Sequence, residues 1–263
     1  MAETPRIQEG ICYAPDVWRG LRIDMTEPFA LDRPFLLWVH GGGWDKGDKD
    51  AFRSELEHFA LRGWPCGSID YRLSTQAIFP APWEDVHLAA RFVLQTWERV
   101  ILVGASAGGH LAALAGLAAT PRRDPLPPGA VAGIAALAGV HDLRYASMQR
   151  LGFPFRRCYE QMLGGSMDIP AIQARAEQAS PIAQLDAYRQ RPADCPLLLL
   201  IHGEQDRGVP LEISLAMRDR CRELSLPVEC LTIPGCGHYV QHDARGQTLD
   251  AIEAFARRLC STG

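Results

Sequence analysis

Apolar and polar positions along the chain fall into two alternating rhythms. Short, nearly continuous apolar runs are FLLWV (35–39), RVILVG (99–104), VAGIAALAG (131–139), PLLLLIH (196–202) and VECLTI (228–233). Longer stretches between them repeat apolar residues every three or four positions. A strand buried on both faces has no polar side to alternate with, so each run predicts a strand of a parallel sheet covered by helices. WPCGSIDY (64–71) predicts a further strand. The intervening pattern predicts helices over 49–63, ending at Gly63, over 82–97, with Pro82 in the first turn, and over 107–119. Leu249, Ile252, Phe255 and Leu259 recur at helical spacing near the C-terminus. Residues 10–15 and 19–25 predict a hairpin.

Strand–helix alternation of this kind builds an α/β fold with a mostly parallel sheet. We expect one domain over 1–263, without internal repeats or linkers. Segment 141–195 breaks the rhythm, because it holds no strand-like run. It predicts a helical and irregular insertion at the carboxyl edge of the sheet, where such segments form lids or pocket walls.

Composition narrows the function classes. Of 263 residues, 47% are hydrophobic, which allows a large core, and the net charge of −4 lacks the basic excess that nucleic-acid or membrane-surface partners demand. The first residues, MAETPRIQEG, show no apolar leader, and no apolar run approaches the ~20 residues of a membrane span. Eight scattered cysteines form no Cys-x-x-Cys pair, so reduced thiols and a cytoplasmic location are expected. Nothing in the sequence fixes the oligomeric state.

Chemistry enters at VGASAGGH (103–110), which follows the run RVILV and opens a helical pattern. Gly104-Ala105-Ser106-Ala107-Gly108 fits G-x-S-x-G, in which a serine sits on a sharp strand-to-helix turn and its small neighbours pass close together. Such a serine needs a base, and the base an orienting acid, in the chain order serine, acid, histidine. LLLLIHGEQDRGVP (197–210) delivers Asp206 just beyond one strand, and LTIPGCGHYV (231–240) delivers His238 beyond the next. All three fall at carboxyl ends of strands, the edge where open α/β sheets bind ligands. Asp219, in a helical stretch, and Asp243, after the histidine, are the rival acids. Attack on a carbonyl creates an oxyanion that needs preorganised N–H donors. The three glycines of WVHGGGWDKGDK (38–49) lie in the loop that supplies them, so Gly42, Gly43 and Ala107 are the expected donors.

These segments resemble the α/β-hydrolase esterases and lipases that carry an HGGG motif. The likeness is to hormone-sensitive-lipase-like and BD-FAE-like carboxylesterases and to the related arylformamidase (kynurenine formamidase) branch. His40-Gly41-Gly42-Gly43-Trp44, Gly104 to His110, DYRLSTQAIFPAPWEDV (70–86), HGEQDRGVP and GCGHY carry it, over residues from about 35 to the C-terminus. The resemblance implies hydrolysis of small-molecule carboxylic esters, or of the N-formylkynurenine formamide, without metal or organic cofactor. A non-catalytic binding protein on the same fold is the third reading. Ser74, Thr75 and Gln76 depart from the Ala-Pro-Glu of many relatives, and the short region before residue 35 leads us to expect their N-terminal helical cap to be reduced or absent. Gly43, often bulkier in the formamidase branch, leaves the branch open.

Several further residues take expected places. His238 and His242 are four apart with Asp243 following, but no third ligand accompanies them, so no metal site is expected. Cys236 is expected to pack. His40 is expected to hold the glycine loop, and Arg72 and Asp70 to form an ion pair beside it. Trp44 either walls the substrate pocket or packs in the core. Phe153, Phe155, Tyr159 and Met162 either line that pocket or pack the insertion, and Arg144, Arg156 and Arg157 stand where a zwitterionic substrate would need charge.

Overall fold

Each apolar run that reads as a strand lies in one eight-stranded sheet. The computed structural model describes residues 6–17, 20–27, 30–118, 125–151 and 155–260. The strands are β1 (Arg6–Ala14), β2 (Leu21–Glu27), β3 (Phe35–Val39), β4 (Cys66–Ile69), β5 (Val100–Ala105), β6 (Val131–Leu137), β7 (Leu197–Gly203) and β8 (Val228–Ile233). Their spatial order is β1-β2-β4-β3-β5-β6-β7-β8. The β1–β2 hairpin and the β2–β4 pair are antiparallel, and every other pair is parallel.

The continuous apolar runs have a direct cause in this packing. Leu37 of β3 and Leu102 of β5 meet α2 (Ala81–Val93) and α3 (Ala107–Leu117) through Val86 and Leu111. Leu36, Trp38, Ile101 and Val103, the alternate positions, meet α1 (Arg53–Ala60) and α10 (Arg245–Cys260) through Leu56, Phe59, Ile252 and Phe255. α8 (Leu211–Glu223) covers Leu198 and Leu200 of β7 with Met217 and Cys221. Each fully buried Leu, Ile or Phe side chain contributes about 1.5–3 kcal/mol of transfer free energy. The C-terminal spacing is thus the inner stripe of α10.

Helix bounds differ from the pattern in two places: α2 ends at Val93, four residues short of 97, and the first helical stretch divides. The stretch 49–63 divides into a 3₁₀ turn, Lys49–Phe52, and α1. Asp48 starts the turn by accepting the Asp50 N–H at 3.0 Å, and the chain leaves the helix three residues before Gly63. No described helix is long and apolar enough to cross a membrane.

Between β6 and β7 the chain forms α4 (Tyr145–Leu151), α5 (Arg156–Leu163), α6 (Pro170–Gln178) and α7 (Pro181–Gln184), with no strand among the described residues. α5 is seated through buried Tyr159, Met162 and Leu163, and Met162 O accepts the Phe79 N–H at 2.8 Å. Met162 therefore packs in the core, while Phe153 lies outside the described residues. α9 (Val240–Asp243) follows β8 and leads into α10.

Candidate active site

The serine is built by the crossing of β5 and α3. Ser106 stands between them with φ 53° and ψ −119°, a left-handed conformation that costs a non-glycine residue about 1–3 kcal/mol. Its N–H donates to Leu137 O at 2.7 Å and its carbonyl accepts from His110 N at 3.0 Å, which hold the turn. The flanking residues have no room for a side chain. A Cβ on Gly108 would stand 2.0 Å from Val39 O, and one on Gly104 would stand 2.3 Å from Gly108 O.

Two sequence-distant loops bring the expected partners to this serine. His238 Nε2 lies 2.9 Å from Ser106 Oγ, and His238 Nδ1 lies 2.7 Å from Asp206 Oδ2. The Asp206 side chain is fully buried, and its Oδ1 accepts the N–H groups of Gly208 and Val209 at 2.7 and 2.9 Å. Burial alone pushes this carboxyl up. Hydrogen bonds from His202, His238 and the Val209 N–H outweigh it and hold the group well below the usual carboxylate range. The rivals stand elsewhere: Asp219 is exposed on α8 and paired with Arg218, and Asp243 ends α9. Among the described residues no group of three His, Cys, Asp or Glu gathers as a metal site. Cys236 is buried, and its thiol is pushed up by burial.

The glycine loop lies against the serine. Gly42 and Gly43 have φ +112° and +62°, and a Cβ on Gly42 would meet Lys46 O at 2.2 Å. Among the described residues no partner accepts the N–H of either glycine. His40 anchors the loop: its Nδ1–H donates to Gly41 O at 2.8 Å, its ring stacks on Tyr71 at 4.2 Å, and Tyr71 Oη donates to His40 O at 3.0 Å. Burial lowers the His40 pKa, so the ring is neutral at pH 7.

Trp44 borders the site, yet it is only 2% exposed. Its Nε1–H donates to His110 Nδ1 at 3.1 Å, and its ring packs edge-on to Tyr159 at 5.3 Å. The Arg72–Asp70 pair does not form. Arg72 grips Asp85 instead, at 2.6 and 2.8 Å, because that carboxylate is wholly buried and requires a cation. The Asp70 carboxylate accepts the Lys49 N–H at 2.9 Å.

A cavity of about 470 Å³ opens over Ser106. Phe155, Cys158 and Tyr159 of the insertion, Val140 after β6, Val209, and Tyr239 beside the base form much of its wall. Val140 and Cys158 carry no motif that would mark them in the sequence, whereas Val209 belongs to HGEQDRGVP. Arg144, Arg156 and Arg157 are not among the lining residues, and the first two are engaged by Asp142 and by Glu160 with Asp168.

The sheet order and the serine elbow define an α/β hydrolase. The chain belongs to the BD-FAE family, which matches residues 23–221. It is 32% identical to the esterase LipC of Mycobacterium tuberculosis over 93% of this chain, and it spans 62% of LipC. It is 30% identical to the kynurenine formamidase avaC of Aspergillus versicolor over 70% of this chain and 74% of that protein. A truncated carbohydrate esterase from gut microbiota superimposes with a TM-score of 0.79 at 21% identity, over 100% of this chain and 99% of that one. The likeness to that structure is one of fold.

Proposed function

We propose that this protein is a carboxylic ester hydrolase that works through an acyl-enzyme intermediate. The observation that carries the reading is the continuous hydrogen-bonded chain from Ser106 Oγ through His238 to Asp206, opening on the cavity. His238 takes the Ser106 proton as Oγ attacks the acyl carbon. The N–H groups of Gly42, Gly43 and Ala107 receive the oxyanion. His238 then protonates the leaving alcohol, and water resolves the acyl-enzyme by the same route. Asp206 keeps the imidazole oriented and stabilises its cation throughout. Ordinary protein groups suffice for every step.

In this reading the chain is one hydrolase domain, the 141–195 insertion walls the pocket, and Trp44 supports the glycine loop from below. Eight free thiols support a reducing, cytoplasmic setting. The formamidase reading uses the same triad and has avaC in its favour. A zwitterionic amino-acid substrate needs a cation beside the cavity. Lys46 lines the cavity and supplies one, while Arg144 and Arg156 are paired elsewhere, so what favours the ester is the likeness to the esterase LipC over 93% of this chain.

The test is kcat/KM for p-nitrophenyl butyrate and N-formylkynurenine side by side, with Ser106→Ala. We expect the ester to be preferred by at least about tenfold, and Ser106→Ala to lose about 10⁴-fold or more on it. A preference for the formamide would overturn the ester reading, and an active Ser106→Ala would overturn the mechanism.

A further inference from the structure

Beside the triad stands a second histidine for which the ester-cleaving steps have no task. His202 lies in β7, four residues before Asp206, and is fully buried. Its Nε2 is directed at the carbonyl oxygen of Val209, 2.9 Å away, and stands 3.1 Å from Asp206 Oδ2. Both neighbours only accept, so Nε2 carries a proton. Its Nδ1 lies 2.8 Å from Oγ of Ser214, which is itself buried on α8. In the neutral ring the Ser214 hydroxyl donates to Nδ1 and fixes the tautomer.

Val209 makes the connection double. Its carbonyl accepts from His202, while its N–H donates to Asp206 Oδ1. His202 therefore reaches the carboxylate directly at Oδ2 and through the Val209 peptide at Oδ1. Oδ2 is also the oxygen that accepts from His238.

We propose that His202, with its tautomer fixed by Ser214, is a positioning residue that sets how strongly Asp206 draws on His238. This rests on the triad reading above. Tyr159 and Cys236 face Asp206, His141 faces His202, Tyr239 packs edge-on to the His238 ring, and Asp45, Lys46 and His242 share the cavity wall with His238. Burial holds Tyr159 and Cys236 in their protonated forms. Burial also lowers His141 to about 3. Two N–H groups thus face Oδ2, that of His202 shared with Val209 O, and removing it leaves more negative charge for His238. The His238 cation is then better stabilised, and the base titrates at higher pH.

The test is the pH profile of kcat/KM on p-nitrophenyl butyrate for the parent chain, His202→Leu, His202→Gln and Ser214→Ala, with Ser106→Ala as control. In His202→Leu we expect kcat to fall about tenfold, KM to stay within about twofold, and the acid limb to rise by about half a pH unit. His202→Gln restores an N–H at the Nε2 position and should bring the limb back. Ser214→Ala should shift the limb the same way by less, and it decides the matter where His202→Leu does not fold. A folded variant that loses activity with its acid limb unmoved or lowered assigns His202 to packing and overturns the proposal. An inactive Ser106→Ala beside an unmoved limb sinks this inference alone. An active Ser106→Ala removes the triad, and the inference with it.

Discussion

Ser106 occupies a backbone conformation it would not choose, and the residues around it exist to keep it there. The same logic governs the glycine loop. At φ +112° and 2.2 Å from Lys46 O, a Cβ on Gly42 forces the loop to move. We expect Gly42→Ala to lower kcat about 10²-fold, the effect of displacing one oxyanion donor, with KM changed only a few-fold. Unchanged kcat would place the donors elsewhere. That Ser106, Asp206, His238 and this loop would meet was legible because each follows a strand, and strand ends converge at one sheet edge. Arg72 was misread because proximity in sequence suggested Asp70. The wholly buried Asp85 made the stronger demand for charge, and its burial is a tertiary fact. His202 stood in plain view within HGEQD, but its task depends on Val209 and Ser214, which only folding brings to it.

At the scale of elements, the inner strands β3 to β7 were legible to within a few residues because burial on both faces leaves an unbroken apolar run. The 49–63 helix was overextended, since its polar start reads alike for a 3₁₀ turn and an α-helix. The insertion was legible as helical and, among its described residues, strandless, but not which of its residues face the cavity. In α5, Met162 and Leu163 seat the helix, Tyr159 both seats it and lines the cavity, and Phe155, at its N-cap and 50% exposed, borders the cavity. Phe155→Ala should therefore raise KM for p-nitrophenyl esters about three- to tenfold and change stability by no more than about 0.5 kcal/mol. Equal KM values would show that the residue faces away from bound substrate. Arg72→Leu should do the reverse. It strands the buried Asp85 carboxylate at the first turns of α2, and we expect about 3–5 kcal/mol lost in urea unfolding. Activity per folded molecule should be kept.

For the whole molecule, buried histidines tie stability to pH. His110 is wholly buried between Trp44 Nε1, which donates to its Nδ1, and Ala179 O, which accepts from its Nε2. His141 is wholly buried, and among the described residues neither ring nitrogen has a hydrogen-bond partner. Burial lowers His110 to about 4 and His141 to about 3, from an ordinary 6.5. Unfolding frees both rings to protonate at their ordinary pKa. Below pH 6.5 the unfolded chain therefore binds more protons than the folded one, and acid favours unfolding. The stability these rings lend is complete above pH 6.5 and is lost as pH falls toward the folded values. The slope approaches about 1.4 kcal/mol per pH unit for each ring. Urea unfolding at pH 7, 6 and 5 should show it, and His141→Leu should flatten it by about half. Parallel slopes in parent and variant would mean that His141 does not stay neutral when folded. Acid then removes activity by two routes that separate in practice. Protonation of the base lowers kcat/KM of molecules that remain folded and recovers at once on neutralisation. Protonation of His110 and His141 lowers the number of folded molecules, and only that second loss should weaken in His141→Leu.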